Sequence, residues 1–227
     1  MSTFQRARSE EQREIRRQAI LETTAAMLSE MPLSQISLNE LSRRVGLAKS
    51  NVLRYFESRE AILLELLSLL ARDFLTDVMQ QLPDTLDKDE PPRARSEAVA
   101  SALAASFATH SMLCELLSAQ AGVLEHNVSS EAAARYKRGA RDSVGGFATL
   151  LREMLPELSD QDAAEAASTI VVLVGAIWTH THPADALREA YDADPSLEFL
   201  AAGFPGALER AIAVFLLGLI ATHSTGA

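Results

Sequence analysis

Cysteine, aromatic residues and long apolar runs are all scarce in this sequence of 227 residues. A single cysteine, Cys114, excludes an intrachain disulfide and fits a reducing compartment. The longest apolar runs, residues 170–178 and 211–221, fall well short of the roughly 20 residues that a membrane-spanning helix needs. No apolar stretch follows the polar N-terminus, so no signal peptide is expected. These absences predict a cytoplasmic protein without a membrane partner.

Glycine and proline are also sparse, at 10 and 8 residues, and aromatic residues make up only 5% of the chain. The apolar 48% is mainly Leu, Ala, Val and Ile. Alanine and leucine lose little entropy in a helix, and no run of alternating β-branched residues is bounded by turn signals. The composition therefore predicts an all-α fold, in a chain long enough to bury a core.

Apolar periodicity and helix breakers divide the chain into segments. In the first helix the predicted apolar stripe is Leu21, Ala25 and Leu28, flanked by Ile20 and Met27. Two proline- and aspartate-rich stretches, 83–92 and 180–196, are expected to be loops. Ser37 with Glu40, Ser58 and Ser159 have the side chains and positions of helix N-caps. We expect helices over about 9–30, 37–46, 47–56, from 58 onward, 93–109, 111–125, 130–155, 160–179 and 205–222.

Motifs for catalysis, cofactors and metals are absent. The sequence has no Walker loop, no dinucleotide-binding glycine motif and no convincing nucleophile–base set. His180 and His182 precede Pro183 at a predicted helix end, whereas metal-binding histidine pairs normally lie four residues apart on one helix face. Cys114 is expected to be a small buried hydrophobe. We expect no enzyme activity, no cofactor and no metal.

Charge is unevenly distributed along the chain, whose formal net charge is −10. Through Phe56 there are nine basic and six acidic side chains, a net +3, and the remainder carries 12 basic and 25 acidic ones, a net −13. This asymmetry favours an end that faces nucleic acid and an acidic body, although +3 alone is also consistent with ordinary surface charge.

The region 38–56 has the pattern of two short helices that cross at a tight turn. Apolar residues stand at fixed offsets from Gly46, and the small Ser42 stands where the helices would approach closely. The polar and basic residues fall on the opposite faces, and Asn and Arg are suited to bidentate contacts with base edges in the major groove. The core positions of this pattern are Leu41, Val45, Leu47, Val52 and Tyr55.

The run 36–60, ISLNELSRRVGLAKSNVLRYFESRE, resembles the signature of the TetR family of transcriptional regulators. The resemblance rests on the turn glycine Gly46, the Tyr55-Phe56 pair and the polar start of the next helix, and it covers about a quarter of the chain. Three positions depart from the family pattern: Ala48 lacks a capping hydroxyl, Leu53 stands where a phosphate-contacting Tyr is common, and Pro32 replaces a turn Gly.

The resemblance implies a DNA-reading surface. Arg6 and Arg8 would form a basic N-terminal arm that touches the minor groove or nearby phosphates. Arg43 and Arg44 are expected to be solvated or general phosphate-attracting charges rather than base readers. The residues implied to contact DNA are Ser37, Asn39, Lys49, Ser50, Asn51, Arg54, Tyr55 and Arg59.

The C-terminal part offers a dimer interface and an effector site. Residues 170–178 and 211–221 are apolar on nearly all sides, which favours an interface between two copies over a central core within one. The resemblance also implies a ligand cavity, although apolar residues at helical spacing serve packing equally well. Its candidate lining residues are Phe107, Met112, Cys114, Leu117, Tyr136, Phe147, Met154, Trp178 and His180. Trp178 with His180 next to it is the best candidate pair, because an aromatic wall with one polar group suits a pocket.

Together these features predict an N-terminal three-helix helix-turn-helix domain, residues 1–57, and a helical effector-binding and dimerisation domain, residues 58–227, which the fourth helix connects. The expected function is a repressor that a small-molecule effector releases from palindromic double-stranded DNA, which it binds as a homodimer through its last two helices. Two alternatives stay open: an activator or partner-responsive regulator without a ligand, and a helical small-molecule-binding protein with a vestigial DNA-binding domain.

Overall fold

A computed structural model describes residues 3–82, 87, 89–198, 200 and 202–224, apart from the side chains of residues 3–9, 223 and 224. The described residues contain no strand, and the all-α prediction is confirmed. Short 3-10 turns lie at Leu33–Gln35 and Pro195–Leu197, and a π-helical turn lies at Gln120–Leu124. The α-helices are α1 Thr3–Glu30, α2 Leu38–Val45, α3 Lys49–Val52, α4 Arg59–Gln81, α5 Pro92–Thr109, α6 Ser111–Ala119, α7 Ser130–Met154, α8 Asp160–Thr181, α9 Asp185–Ala193 and α10 Gly203–Ser224.

The helices divide into two compact units. The first comprises Met1–Leu70 and Ala119–Lys137, and the second comprises Ala71–Ser118 and Arg138–Ala227. The first unit therefore contains α1 to α3 and the segment that leads from the end of α6 into α7, while α4 and α7 each contribute residues to both units.

The core of the first unit forms around one face of α1. Ile20, Thr24 and Met27, spaced i, i+4 and i+7, are at most 1% exposed. Of the predicted stripe, Leu21 and the flanking Ile20 and Met27 are buried, whereas Ala25 and Leu28 are half-buried, so the deepest face is centred one residue nearer the N-terminus. The hydroxyl of Thr24 donates to the carbonyl of Ile20, which satisfies a buried polar group within the helix. The buried apolar residues of the rest of this unit include Leu41 of α2, Val52 of α3, Phe56 after α3, and Ile62, Leu63 and Leu66 of α4.

In the second unit, α10 packs against α5 and α8. Leu208, Ile212 and Leu216, at i, i+4 and i+8, are fully buried on one face of α10. The predicted cap at the start of α8 is confirmed as a full capping box, because Ser159 and Asp162 each accept a hydrogen bond from the other's backbone N–H.

Two loop predictions need correction. Residues 180–196 are not a continuous loop, because α9 occupies Asp185–Ala193, and Pro183 and Pro195 flank this helix instead of interrupting it. In the expected loop 83–92, residues 83–86 and 88 lie outside the described residues. Pro92 already begins α5. A proline is tolerated there because the N–H of the first helical residue has no partner within the helix.

The other boundary errors concern helix ends. α1 begins at Thr3 and not near Ser9, so the backbone of Arg6 and Arg8 is helical where an irregular arm was expected. α6 ends at Ala119 and passes into the π-helical turn, whereas a continuous helix to Glu125 was expected.

By length and hydropathy alone, α8 and α10 could each cross a membrane. Runs of uninterrupted apolar residues do not reveal this, because polar side chains interrupt both helices, among them Thr169 in α8 and Glu209 and Arg210 in α10. Exposed valines mark these helices: Val172 of α8 is 69% exposed and Val214 of α10 is 61% exposed. Apolar side chains exposed in this way are available for contact with another apolar surface.

Candidate nucleic-acid interface

Ser37 begins α2 as its N-cap. Its backbone is extended and its hydroxyl oxygen accepts the N–H of Glu40 at 3.2 Å. Only this half of the predicted capping box forms, because the Glu40 carboxylate binds arginines further along the helix.

Glu40 holds both arginines of α2. Arg43 makes a bidentate pair with it, at 2.6 and 3.0 Å, and the Arg44 Nε lies 3.0 Å from the same carboxylate. Arg44 also pairs with Glu30 at the end of α1. These hydrogen bonds from Arg43 and Arg44 lower the pKa of Glu40 to about 2. With their charges neutralised locally, the two arginines are poor candidates for base reading, in keeping with the sequence-based expectation.

Gly46 makes the turn between α2 and α3. Its φ of 72° and ψ of 29° lie in the left-handed region, which a residue with a Cβ adopts only at a cost. The N–H of Leu47 returns to the carbonyl of Ser42 at 3.0 Å, so an orphan carbonyl at the helix end is satisfied. Ser42 is itself buried at 6% exposure. The predicted role of Gly46 as the turn residue is confirmed.

The recognition helix α3 is short and lacks a side-chain cap. Ala48 occupies its N-cap position with extended backbone but offers no side-chain acceptor. Beyond Val52 the chain continues in hydrogen-bonded turns to Phe56. Val52 is fully buried and Phe56 is 4% exposed, and these two side chains anchor the helix to the core.

Six of the eight predicted DNA-contacting residues are exposed on the surface of the first unit, and the other two are not. Tyr55 is half-buried. Arg59 is half-buried as well, and its guanidinium donates to the carbonyl of Ile36 at 2.9 Å and pairs with Glu60 at 2.9 Å. Arg59 thus ties the start of α4 to the turn before α2. The exposed six are Ser37, Asn39, Lys49, Ser50, Asn51 and Arg54.

Arg17 is a structural residue that the sequence argument missed. Its guanidinium donates to the carbonyl of Tyr55 at 2.7 Å, pairs with Glu65 of α4 and lies 4.4 Å from the centroid of the Phe56 ring. One side chain of α1 therefore binds both the end of the recognition helix and α4. Its position one helical turn before Ile20, on the buried face of α1, was the available signal.

The nine candidate ligand-lining residues differ in their surroundings. Phe107, Cys114, Phe147, Met154 and Trp178 are buried in the second unit, and Tyr136 is buried in the first. Met112 and Leu117 are half-buried, and His180 is exposed.

Trp178 has a different polar partner from the one expected. His180 was expected beside it, but the indole N–H donates to Glu115 at 2.9 Å and His182 stacks on the ring with centroids 3.7 Å apart. A helix places residues i and i+4 on one face, so His182, and not His180, lies on the same face as Trp178.

Cys114 has the character of a structural thiol. Its Sγ donates to the carbonyl of Phe107 at 3.3 Å, and burial raises the pKa of the thiol to about 12. A thiol of this kind is almost wholly protonated at neutral pH and reacts slowly, as the sequence argument expected.

An apolar groove of about 810 Å³ lies between α8 and α10 in the second unit. Its lining residues include Thr169, Leu173, Val214, Phe215 and Gly218. The groove is formed by the two helices whose sequence predicted a subunit interface.

Comparison with known proteins agrees with this architecture. The family model described as "Tetracyclin repressor-like, C-terminal domain" matches residues 70–223, and the one described as "Bacterial regulatory proteins, tetR family" matches residues 20–66. No curated protein matches the chain.

Two solved structures share the fold. A TetR transcriptional regulator from Rhodococcus sp. RHA1 is 13% identical, with 93% of this chain and 99% of that chain covered and a TM-score of 0.55. A possible TetR family transcriptional regulator from Streptomyces coelicolor A3(2) is 21% identical, with 91% and 99% covered and a TM-score of 0.56. With the family models matching nearly the whole length and the helix-turn-helix formed as its signature requires, the chain belongs to the TetR family of transcriptional regulators, with a DNA-binding helix-turn-helix followed by a helical C-terminal domain.

Proposed function

We propose that the protein is a cytoplasmic repressor that binds a palindromic operator as a homodimer and is released by a small-molecule effector. One observation carries the DNA-reading part of this proposal. Lys49, Ser50 and Asn51 of the recognition helix and Arg54 in the turn after it are all exposed, while Val52 and Phe56 are buried. The amide and guanidinium groups of this surface fit the donor and acceptor pattern of the major groove.

The side chains on this surface have separable roles. Asn51 and Arg54 are proposed to contact base edges, and Lys49 and Ser50 complete the same face. Ser37 and Asn39, exposed at the start of α2, are proposed to contact a phosphate and a base edge. The hydroxyl of Ser37 can still donate to a phosphate, because its oxygen, not its hydrogen, is used in the cap.

Two residues have weaker support as DNA contacts. The half-buried Tyr55 is proposed to donate its hydroxyl to a phosphate. Arg59 is bound to Ile36 and Glu60, so its proposed contribution is chiefly to hold α4 in place.

The homodimer is proposed to form through α8 and α10. An apolar surface is formed by the groove between these helices together with the exposed Val172 and Val214. Such a surface stands out on a chain whose net charge is −10. Burial of this surface by a second copy would supply the two-fold symmetry that a palindrome needs.

The effector is proposed to bind among the buried candidates of the second unit. Trp178 with Glu115 combines an aromatic wall and a polar group, as ligand sites commonly do. A coupling free energy of roughly 1–3 kcal/mol between effector and DNA would weaken operator binding about 5- to 150-fold. An activator, or a regulator that answers a protein partner, would share the same DNA surface and differ only in this unit.

The test is selection of bound duplexes from a random DNA pool by the purified protein at two salt concentrations. We expect an enriched palindrome, whereas salt-sensitive binding without a motif would contradict sequence reading. On the selected duplex, Asn51→Ala with Arg54→Ala should weaken binding by at least roughly ten-fold without changing the melting temperature. Arg93→Ala, which removes the same charge from a residue of α5 whose side chain is 81% exposed, is the matched control and should bind normally.

A library of small molecules screened for release of the selected duplex tests the effector. A compound that releases wild-type protein but not a Trp178→Leu variant of equal DNA affinity would support the proposed site. Release that is unchanged in that variant would contradict it.

A further inference from the structure

Glu57 lies in the segment that joins the recognition helix to α4. It follows Phe56, which is buried, and precedes Ser58, whose hydroxyl oxygen accepts the N–H of Ala61 at 3.0 Å and so caps α4. The side chain of Glu57 itself is exposed. It contributes nothing to the core and is not among the predicted DNA contacts.

Both oxygens of Glu57 bind one distant residue of the same unit. Oε1 accepts the backbone N–H of Ser129 at 2.6 Å, and Oε2 accepts the Ser129 hydroxyl at 2.8 Å. Ser129 is in turn the residue that caps α7, because its hydroxyl oxygen accepts the N–H of Ala132 at 3.2 Å. These hydrogen bonds lower the pKa of the Glu57 carboxyl below its usual value.

This geometry is that of a capping box whose acid comes from elsewhere in the chain. In an ordinary capping box the third residue of the helix supplies the carboxylate that returns to the N-cap N–H, as Asp162 does for Ser159 in α8. The equivalent residue of α7 is Ala132, which has no carboxylate. Glu57, 72 residues earlier in the chain, takes its place.

We propose that the Glu57–Ser129 pair is a latch that positions the recognition helix, so that operator affinity depends on the N-terminus of α7. Arg17 holds the recognition helix from the α1 side through the carbonyl of Tyr55, and Glu57 holds the next turn from the α7 side. Since α3 has no side-chain cap of its own, these external contacts restrict its orientation. The inference rests on the proposed operator binding and assigns two positioning residues for it.

The latch and plain electrostatics predict opposite effects of losing Glu57. Removal of a negative charge close to a DNA-binding surface reduces repulsion and should strengthen binding. Loss of a positioning contact should weaken binding to the selected operator instead. We expect Glu57→Ala to bind the operator about five-fold or more weakly. Glu57→Gln, which keeps an acceptor for the backbone N–H, should stay within about two-fold of the wild type.

Ser129→Asp separates the latch from the α7 cap. Aspartate is as good an N-cap as serine, but its carboxylate would face that of Glu57. We expect weakened operator binding, restored when Glu57→Gln is added, because the amide can donate to the new carboxylate. Ser130→Asp adds the same charge one residue later and, with or without Glu57→Gln, is the matched control that should bind like the wild type.

Operator affinity is measured by fluorescence anisotropy on the duplex selected by the wild-type protein, and hydrogen exchange is followed at the amides of 54–56. Tight binding by Glu57→Ala, or equal behaviour of the two aspartate variants, would overturn the latch while leaving the proposed function intact. If the wild type selects no duplex, the proposed function fails. Hydrogen exchange then decides for or against the latch, which requires faster exchange in Glu57→Ala and wild-type exchange in Glu57→Gln.

Discussion

At the scale of single residues, the arginines of the first unit differ by what surrounds them and not by type. Arg54 is exposed on the proposed DNA-reading face, whereas Arg43 and Arg44 are paired with carboxylates and Arg17 binds both Tyr55 and α4. A guanidinium that already donates to protein acceptors has fewer donors left for DNA. The basic count of a helix-turn-helix therefore overstates the charge that it offers to phosphates.

Glu40 provides a pH-dependent test of this network. Its pKa in the folded protein, about 2, lies below the usual 4.5, so its stabilising effect is complete above about pH 4.5 and is lost as the pH falls through about 2. We expect Glu40→Gln to lower the melting temperature by about 1–3 °C at pH 7, with a gap that closes as the pH falls below 4.5. Thermal unfolding followed by circular dichroism between pH 7 and pH 3 measures this gap. Glu11→Gln on α1 removes the same charge as a control, and a gap that did not vary with pH would contradict the assignment.

At the scale of secondary-structure elements, close approach of α8 to α6 depends on Gly175. A Cβ at this position would lie 3.0 Å from the carbonyl oxygen of Leu117 and 3.3 Å from the backbone nitrogen of Ser118. Both are main-chain atoms, which cannot move aside as the end of a side chain can. The same two helices are joined by the hydrogen bond from Trp178 to Glu115.

Gly175→Ala should therefore lower the free energy of unfolding by about 1–3 kcal/mol, although alanine is the better helix former. Gly139→Ala is the matched control, because a Cβ there meets nothing within 4 Å, and it should raise the free energy of unfolding by up to about 1 kcal/mol. Urea unfolding followed by the fluorescence of Trp178, the only tryptophan, measures both. Equal stabilisation by the two alanines would show that α8 can move away from α6 without cost.

At the scale of the whole molecule, the apolar surface of α8 and α10 is the proposed dimer interface. Val172→Glu and Val214→Glu each place a charge on this surface, and a charge buried without a partner opposes association. We expect the wild type to sediment as a dimer and both variants to shift towards monomer with unchanged helical content. Ile15→Glu, at a side chain of α1 that is 61% exposed, makes a similar change elsewhere and should leave the dimer intact. Dimeric valine variants would place the interface elsewhere.

The linear sequence determined the features that depend on local chemistry. The left-handed turn at Gly46, the caps at Ser37 and Ser159, and the exposed face of α3 follow from glycine's freedom, from hydroxyl acceptors and from helical periodicity, all of which act over a few residues. The loop predicted over 180–196 was wrong because a proline indicates a helix boundary but not the side of the proline on which the helix lies.

The side chains that meet across long stretches of chain depend on how the helices pack, which the local sequence does not reveal. The approach of Arg17 to Tyr55, of Glu57 to Ser129 and of Trp178 to Glu115 joins residues that are 38, 72 and 63 positions apart. Exposed glutamates and helix-capping serines are common on protein surfaces. No feature of the neighbouring sequence indicates that Glu57 and Ser129 contact each other. Such pairs form because burial of the apolar faces brings their helices together, and the polar contacts are then determined by that packing.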